Sequence, residues 1–351
     1  MGPLEQAPHM HDPSVRLTDE NLPHFLAASG WLSGEENVAV EPAGDGNINF
    51  VRRVTKPSGE SVIVKQARPE LERFPEYRVT TDRMLFEHRY GKLVRQLAPR
   101  AAAILPAVYH FDTGSRVMVM EDLGDGARLD QVLAGGGAPV EAMHKLGECL
   151  ATVHCGTAAA VTDLAEEFRN EEMQRLHGEH IFTLPYQENP FPIPVRVREH
   201  AEGLLTQQVR ERIASLRACY YGTPAALVHG DVQSGNVVLQ GNSPRLLDAE
   251  IAHLGDPAFD LGTALAHLHF HVPLHADAAG LLKAAGALVE GYRLGATAQG
   301  ERPPAAFWIR AEQYAAVELL RRTLGAARHA VVQDDEAAVA VLDHAAEMLA
   351  R

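Results

Sequence analysis

The chain has 351 residues, enough for two domains with an ample core, and its 46 acidic against 32 basic residues give a net charge of −14. That balance disfavours nucleic acid and anionic membranes as partners, since both reward clustered Lys and Arg. No apolar run reaches the roughly 18 residues of a membrane-spanning helix and no charged-then-apolar leader opens the chain, so a soluble, cytoplasmic protein is expected. The three cysteines, Cys149, Cys155 and Cys219, are odd in number and lack metal-ligand spacing, which reads as reduced, structural thiols.

In chain order, residues 1–15, opening MGPLEQAPHM, read as a tag or disordered tail and are set outside the fold. Thr18 is the candidate N-cap of a short amphipathic helix carrying Leu22, Phe25 and Leu26. A staple is expected between Leu17 and Leu22, with a stop at Gly30. Three short strands follow, Val38 to Glu41, Phe50 to Val54 and Ser61 to Lys65, joined by a turn over Gly44-Asp45-Gly46-Asn47-Ile48-Asn49 and another at Pro57-Ser58-Gly59. The glycines of the first turn would let backbone N–H groups approach phosphates; the competing reading is a plain hairpin turn. Lys65 at the end of the third strand, in a chain with only five lysines, favours the phosphate reading.

A helix is expected from Thr81-Asp82 to Leu97. Glu87 on it is either the partner that orients Lys65 or an ordinary solvated charge. Two more strands, Ile104 to His110 and Arg116 to Met120, complete a five-stranded sheet, and Glu121-Asp122-Leu123-Gly124 marks the boundary between a first domain over 16–121 and a second over 122–351. Beyond it the chain turns helical and alanine-rich: 140–161, then an irregular insertion over 170–189, then helices over 195–219, 305–327 and 335–350. His267, His269 and His271 alternate in a helical segment, where a spacing of two does not bring side chains to one face, so they are not read as a metal site.

The densest chemistry lies in residues 225–262. An apolar strand ends in His229-Gly230-Asp231, Asn236 follows five residues after the aspartate, and a second short strand ends in Leu246-Leu247-Asp248. Phosphoryl transfer needs one carboxylate to accept a hydroxyl proton and an Asn and a second Asp to hold the metal ions that neutralise the phosphates. The order H-x-D-x-x-x-x-N followed by a strand-borne Asp meets that need, whereas any one of these residues alone reads more readily as part of a tight turn or a strand-end cap.

On these residues the chain resembles the aminoglycoside phosphotransferase superfamily. The resemblance implies an α+β, protein-kinase-like bilobal fold, with a small N-terminal lobe of antiparallel sheet plus helix and a larger, mainly helical C-terminal lobe. It implies ATP and Mg2+ as cofactors. Gly44, Asp45, Gly46, Asn47, Asn49, Lys65, Glu87, Glu121 and Leu123 would contact the nucleotide, Asn236, Asp248 and Glu250 the metal, and Asp231 would be the catalytic base, with Asp260 pinning its loop. Within the superfamily, Gly44 to Asn49, Lys65-Gln66-Ala67, Thr81-Asp82-Arg83, Met120-Glu121-Asp122-Leu123 and Arg321-Arg322 are most similar to the methylthioribose kinases. That similarity implies Arg321, Arg322 and Phe74 as acceptor contacts; Phe74-Pro75, Asn236 and Ala249 depart from that group's pattern. Without it, the arginines read as helix partners of Glu318. The expected partner is a small-molecule hydroxyl acceptor, methylthioribose-like first. A kinase for aminoglycosides, amino-sugars or choline-like molecules is the alternative, and a non-catalytic nucleotide-binding protein a third. A homodimer is compatible with the sequence and not demanded by it.

Overall fold

Two units emerge from how the chain packs on itself: one is formed by the residues up to Arg89 with Pro106–Gly124, the other by Tyr90–Leu105 and the chain from Asp125 onward. The structure, a computed structural model, describes residues 15–33, 37–44, 49–70, 78–275 and 277–350. Most of the expected tail, the turn residues Asp45, Gly46 and Asn47, and Phe74 therefore lie outside the described residues.

The first unit is an antiparallel sheet of five strands, β1 Ala39–Pro42, β2 Phe50–Thr55, β3 Ser61–Gln66, β4 Val108–Asp112 and β5 Val117–Glu121, in the order β1-β2-β3-β5-β4. Period-two alternation sends Val62 and Val64 of β3 to one face, where they meet Phe50, Val54, Val117 and Val119. The helix Leu22–Ala28 closes that face with Leu22 and Leu26, and Leu17 joins them, all three fully buried. Burial of each stabilises by about 2 kcal/mol. Leu17 and Leu22, the expected staple pair, share this cluster, and Thr18 caps as expected although the regular helix begins only at Leu22, since Asn21 makes no side-chain cap bond of its own. Thr18 N–H donates to Asn21 Oδ1 at 2.8 Å and Asn21 N–H to Thr18 Oγ1 at 3.3 Å. Gly30 ends the helix at φ 78°, where any other residue would be strained. The sheet's other face carries Met118 and Met120 with Met84. Strand β4 starts four residues later than expected, because Pro99–Ile104 forms a 3-10 turn opened by Pro99.

The second unit is mainly helical. The helix Ala258–His269 is buried all round from Ala258 to Leu268 and forms its axis. The helices Val140–Ala158 and Ala278–Ala298 approach so closely that a Cβ on Gly147 would lie 2.0 Å from Leu288 O and one on Gly291 1.9 Å from His144 O. Two small sheets serve the loops: Ala226–Val228 pairs with His253–Gly255, and Val237–Gln240 pairs with Ala127–Arg128 and Ser243–Leu246. Two expectations fail here. The region 170–189 is not irregular but contains the helix Glu171–Phe182, held by Met173, His177, Gly178, Ile181 and Phe182. The helix expected over 195–219 is two, Val195–Leu204 and Gln207–Gly222, parted at Leu205-Thr206, where Thr206 Oγ1 caps the second by accepting Val209 N–H at 3.3 Å. Among the described residues no helix is long and apolar enough to cross a membrane.

Candidate active site

In the first unit, the register of β3 fixes Lys65 opposite Val51 on one side and Met118 on the other. Its Nζ lies 2.7 Å from Glu87 Oε2, with Lys65 4% and Glu87 9% exposed. Glu87 is therefore not a solvated charge. A buried ion pair is costly unless its geometry is good, and this one holds the ammonium at a fixed place. Gly44 has φ 71°, in the left-handed region expected of a turn glycine. Asn49, expected at the nucleotide, has another occupation: its Oδ1 accepts Arg83 Nε at 3.2 Å and Nη2 at 2.8 Å. Arg83 is fully buried and also donates to Arg68 O, so it ties the end of the turn to the helix Arg83–Leu97. Gln66 beside Lys65 binds the N-terminal segment, accepting Leu17 N–H at 2.9 Å and donating to Val15 O at 2.7 Å. At the boundary segment, Glu121 N–H is taken by Ala107 O and its carboxylate by Ala107 N–H. Asp122 receives Arg53 at 2.7 and 2.9 Å, Ser61 at 2.7 Å and Gly124 N–H at 3.0 Å. Burial works to raise the Asp122 carboxyl, but Arg53 and Ser61 hold it below its ordinary value.

In the second unit the strand Ala226–Val228 delivers His229-Gly230-Asp231 to a loop pinned by Asp260. The Asp260 carboxylate accepts His229 N–H at 2.7 Å and Gly230 N–H at 2.9 Å. Gly230 has φ 84° and a Cβ there would lie 2.8 Å from Ile251 O, so only glycine fits between the histidine and the aspartate. Asp260 is fully buried and faces His154 Nε2 at 3.1 Å, whose Nδ1 meets the Tyr292 hydroxyl at 2.9 Å. Burial alone would raise Asp260, but His154 and the donated backbone N–H keep its carboxyl below the usual value.

Asp231 is bound through one oxygen only. Oδ2 accepts Gln233 Nε2 at 3.0 Å and Asn236 Nδ2 at 2.9 Å, while Oδ1 is buried with no partner among the described residues. Burial raises the Asp231 carboxyl, opposed by the positive charges of Arg322 and Arg321. Those two arginines both bind Glu318: Arg321 Nη1 at 2.9 and 3.0 Å, Arg322 Nε at 2.8 Å. The helix pairing is thus real, yet Arg322 also donates Nη2 to Gln233 Oε1 at 2.7 Å, linking the pair to Asp231. Burial pushes the Glu318 carboxyl up, and the two arginines overcome it and bring it to about 2.

Asn236 is 7% exposed and spends Nδ2 on Asp231, leaving Oδ1 with no protein donor among the described residues. Asp248 has φ 65° and ψ 54°, a left-handed conformation that costs a non-glycine residue about 1 kcal/mol or more and that clusters at functional sites. It is exposed, whereas Glu250 two residues on is 5% exposed. Asn170, which the sequence did not single out, donates Nδ2 to Glu250 O at 2.9 Å and Ala252 O at 3.1 Å and holds that turn. The donor set of Asn236, Asp248 and Glu250 is all oxygen, which suits a hard cation such as Mg2+. His267, His269 and His271 go to three different partners, Ser234 at 2.9 Å, His344 at 2.9 Å and His275 at 3.2 Å, so they form no common centre.

The pattern of the phosphotransferase enzyme family matches residues 39–296. Methylthioribose kinase from Bacillus velezensis is 28% identical over 72% of this chain and 66% of its own length, and that of Klebsiella pneumoniae 30% identical over 68% and 62%. The aligned region is thus a little under two thirds of the length of these curated relatives. Among solved structures, choline kinase from Cryptosporidium parvum matches with a TM-score of 0.56 at 14% identity, covering 94% of this chain and 95% of that one, a likeness of fold.

Proposed function

Since the chain belongs to the phosphotransferase enzyme family, we propose that it is an ATP-dependent small-molecule kinase that transfers the γ-phosphate to a hydroxyl of a neutral, sugar-like acceptor, methylthioribose first. The single observation that carries the choice of acceptor is a charge balance. Arg321, Arg322, Glu318 and Asp231 are joined by hydrogen bonds directly or through Gln233, and two positive charges meet two negative ones. Such a site has no excess negative charge with which to draw a polycation, whereas guanidinium N–H groups can donate to the hydroxyl oxygens of a neutral acceptor. The curated relatives named methylthioribose kinase support the same reading.

In this mechanism Lys65, oriented by Glu87, would contact the α- and β-phosphates. Asn236 through Oδ1, Asp248 and Glu250 would hold magnesium, which supplies neutralisation of the phosphate charge. Asp231 accepts the acceptor hydroxyl's proton on Oδ1, the oxygen that carries no protein bond. Catalysis is then mainly positioning and charge compensation. The remaining N–H groups of Arg321 and Arg322 would orient the acceptor.

The net charge of −14 favours a second reading, a kinase for cationic aminoglycosides. It needs an excess of carboxylates at the acceptor, which the balanced group around Asp231 does not provide. A screen of the purified protein with magnesium-ATP against methylthioribose, ribose, amino-sugars, choline and aminoglycosides tests the proposal. Transfer to the neutral thio-sugar, impaired in Arg322→Lys through acceptor KM with ATP KM unchanged, is expected. Efficient transfer to an aminoglycoside, insensitive to Arg322→Lys, would refute the acceptor assignment.

A further inference from the structure

Gln233 links Asp231 to the arginine pair through its side-chain amide. Gln233 lies two positions after Asp231 in extended backbone, φ −85° and ψ 158°. In an extended chain, residues two apart face the same side, which brings its carboxamide alongside the carboxylate. Its two ends meet opposite partners, Nε2 to Asp231 Oδ2 at 3.0 Å and Oε1 to Arg322 Nη2 at 2.7 Å. Chemistry dictates that orientation: a guanidinium only donates and an ionised carboxylate only accepts, so a turned amide would set donor against donor and acceptor against acceptor. We propose that Gln233 is a positioning residue, a one-amide bridge that transmits the fixed position of the Glu318-clamped arginine pair to the Asp231 carboxylate and reserves Oδ1 for the acceptor hydroxyl.

Asn236 Nδ2 bonds Oδ2 at 2.9 Å and also the Asp231 carbonyl at 3.0 Å, so it holds the carboxylate from the side of its own backbone. One such contact leaves the carboxylate able to pivot about that bond, so the direction of the other oxygen is not fixed. Gln233 adds a second donor to the same oxygen, and two donors on Oδ2 narrow that pivot. The anchor at the far end is rigid. Arg322 is clamped by Glu318 at 2.8 Å, Glu318 is 1% exposed, and Arg321 closes the group at 2.9 Å. The same bridge ties acceptor orientation to base orientation, because an acceptor held by the arginines would meet a carboxylate set relative to those arginines.

The inference rests on the kinase reading for the meaning of Oδ1, but the bridge itself is a matter of geometry, and the experiment separates the two. Gln233→Leu removes both bonds at nearly constant volume. Turnover is expected to fall about a hundredfold, the cost of a misplaced reacting group, with ATP KM unchanged. In its crystal structure the Asp231 carboxylate should be rotated from the wild-type position. Gln233→Glu keeps the volume and the Arg322 bond but loses the donor to Asp231; it is expected to lose turnover likewise and guards against a folding defect in the Leu variant. Gln233→His offers a ring N–H and a ring lone pair and should recover at least about tenfold over Leu, which a merely space-filling residue would not do. Wild-type turnover within twofold in the Leu and Glu variants, no gain with His, or an unmoved Asp231 carboxylate would overturn the proposal. If the wild-type protein phosphorylates no hydroxyl, the kinase reading fails, and the crystallographic comparison still decides whether Gln233 orients Asp231.

Discussion

At the scale of single residues, the chemistry that announces itself by spacing is separable from the chemistry that does not. Asp231 and Asn236 are five apart, Asp248 follows the next hairpin by two residues, and Lys65 is the penultimate residue of a strand; each could be picked out because local geometry sets its place. Gln233 could not, since its partner Arg322 lies 89 residues away. Nor could Asn170, 80 residues from Glu250, or Arg83, 34 from Asn49. Such bonds depend on how helices and loops pack, which no local pattern encodes. Asp248 allows a residue-scale prediction because its backbone and its carboxylate make different demands. Asp248→Ala and Asp248→Gly should both lose the magnesium dependence of ATP binding. The Gly variant should nevertheless be about 1 kcal/mol more stable than the Ala variant, since glycine occupies φ 65° without strain. ATP titration with and without magnesium, beside urea unfolding of both variants, checks the pair; a retained magnesium effect would move the metal elsewhere.

Elements were legible where turns punctuate them. Four of the five strands of the first unit fall within one residue of their expected bounds because Gly, Pro, Asn and Ser clusters separate β-branched runs; β4, preceded by the turn at Pro99, does not. The helix Glu171–Phe182 was hidden because Gln174, Arg175, Glu179 and His180 crowd its sequence and its buried stripe is narrow. The split near Thr206 was hidden because helical periodicity continues on both sides. The contact between Val140–Ala158 and Ala278–Ala298 could be seen only in three dimensions, yet it bears on the site, since these helices carry His154 and Tyr292. Gly291→Ala would place a methyl against the His144 carbonyl and push the helices apart. A loss of about 3 kcal/mol is expected from overpacking of this kind, together with reduced turnover as the Tyr292–His154–Asp260 chain loosens. Calorimetry and turnover on one preparation check this. A variant as stable as wild type would contradict the packing argument.

For the whole molecule, buried histidines set the acid limit. Burial holds His177, His229, His253 and His267 below their ordinary value and brings His271 and His329 to about 4. The sign follows: above pH 6.5 these groups are neutral whether folded or not, and as pH falls from 6.5 toward 4 the unfolded chain takes up protons that the folded chain refuses. Stability should therefore decline through that window. The loss belonging to Glu318, whose carboxyl sits at about 2, comes lower still, below pH 4.5. A urea midpoint unchanged between pH 7 and pH 5 would contradict this. The kinase-like fold could be inferred from the sequence because it rests on short, ordered motifs, and the proposed phosphoryl transfer rests on the same motifs; the proposed acceptor came from resemblance alone, because the groups assigned to it lie in the 229–236 loop and on a helix 89 residues further along the chain. The most direct test of the central claim follows phosphate itself by 31P NMR, with magnesium-ATP and methylthioribose, for wild type and Asp231→Asn. A new phosphate-ester signal from the wild type, formed at least about a hundredfold more slowly by Asp231→Asn at equal ATP affinity, is predicted. Ester formation at an equal rate by both proteins, or by neither, would contradict it.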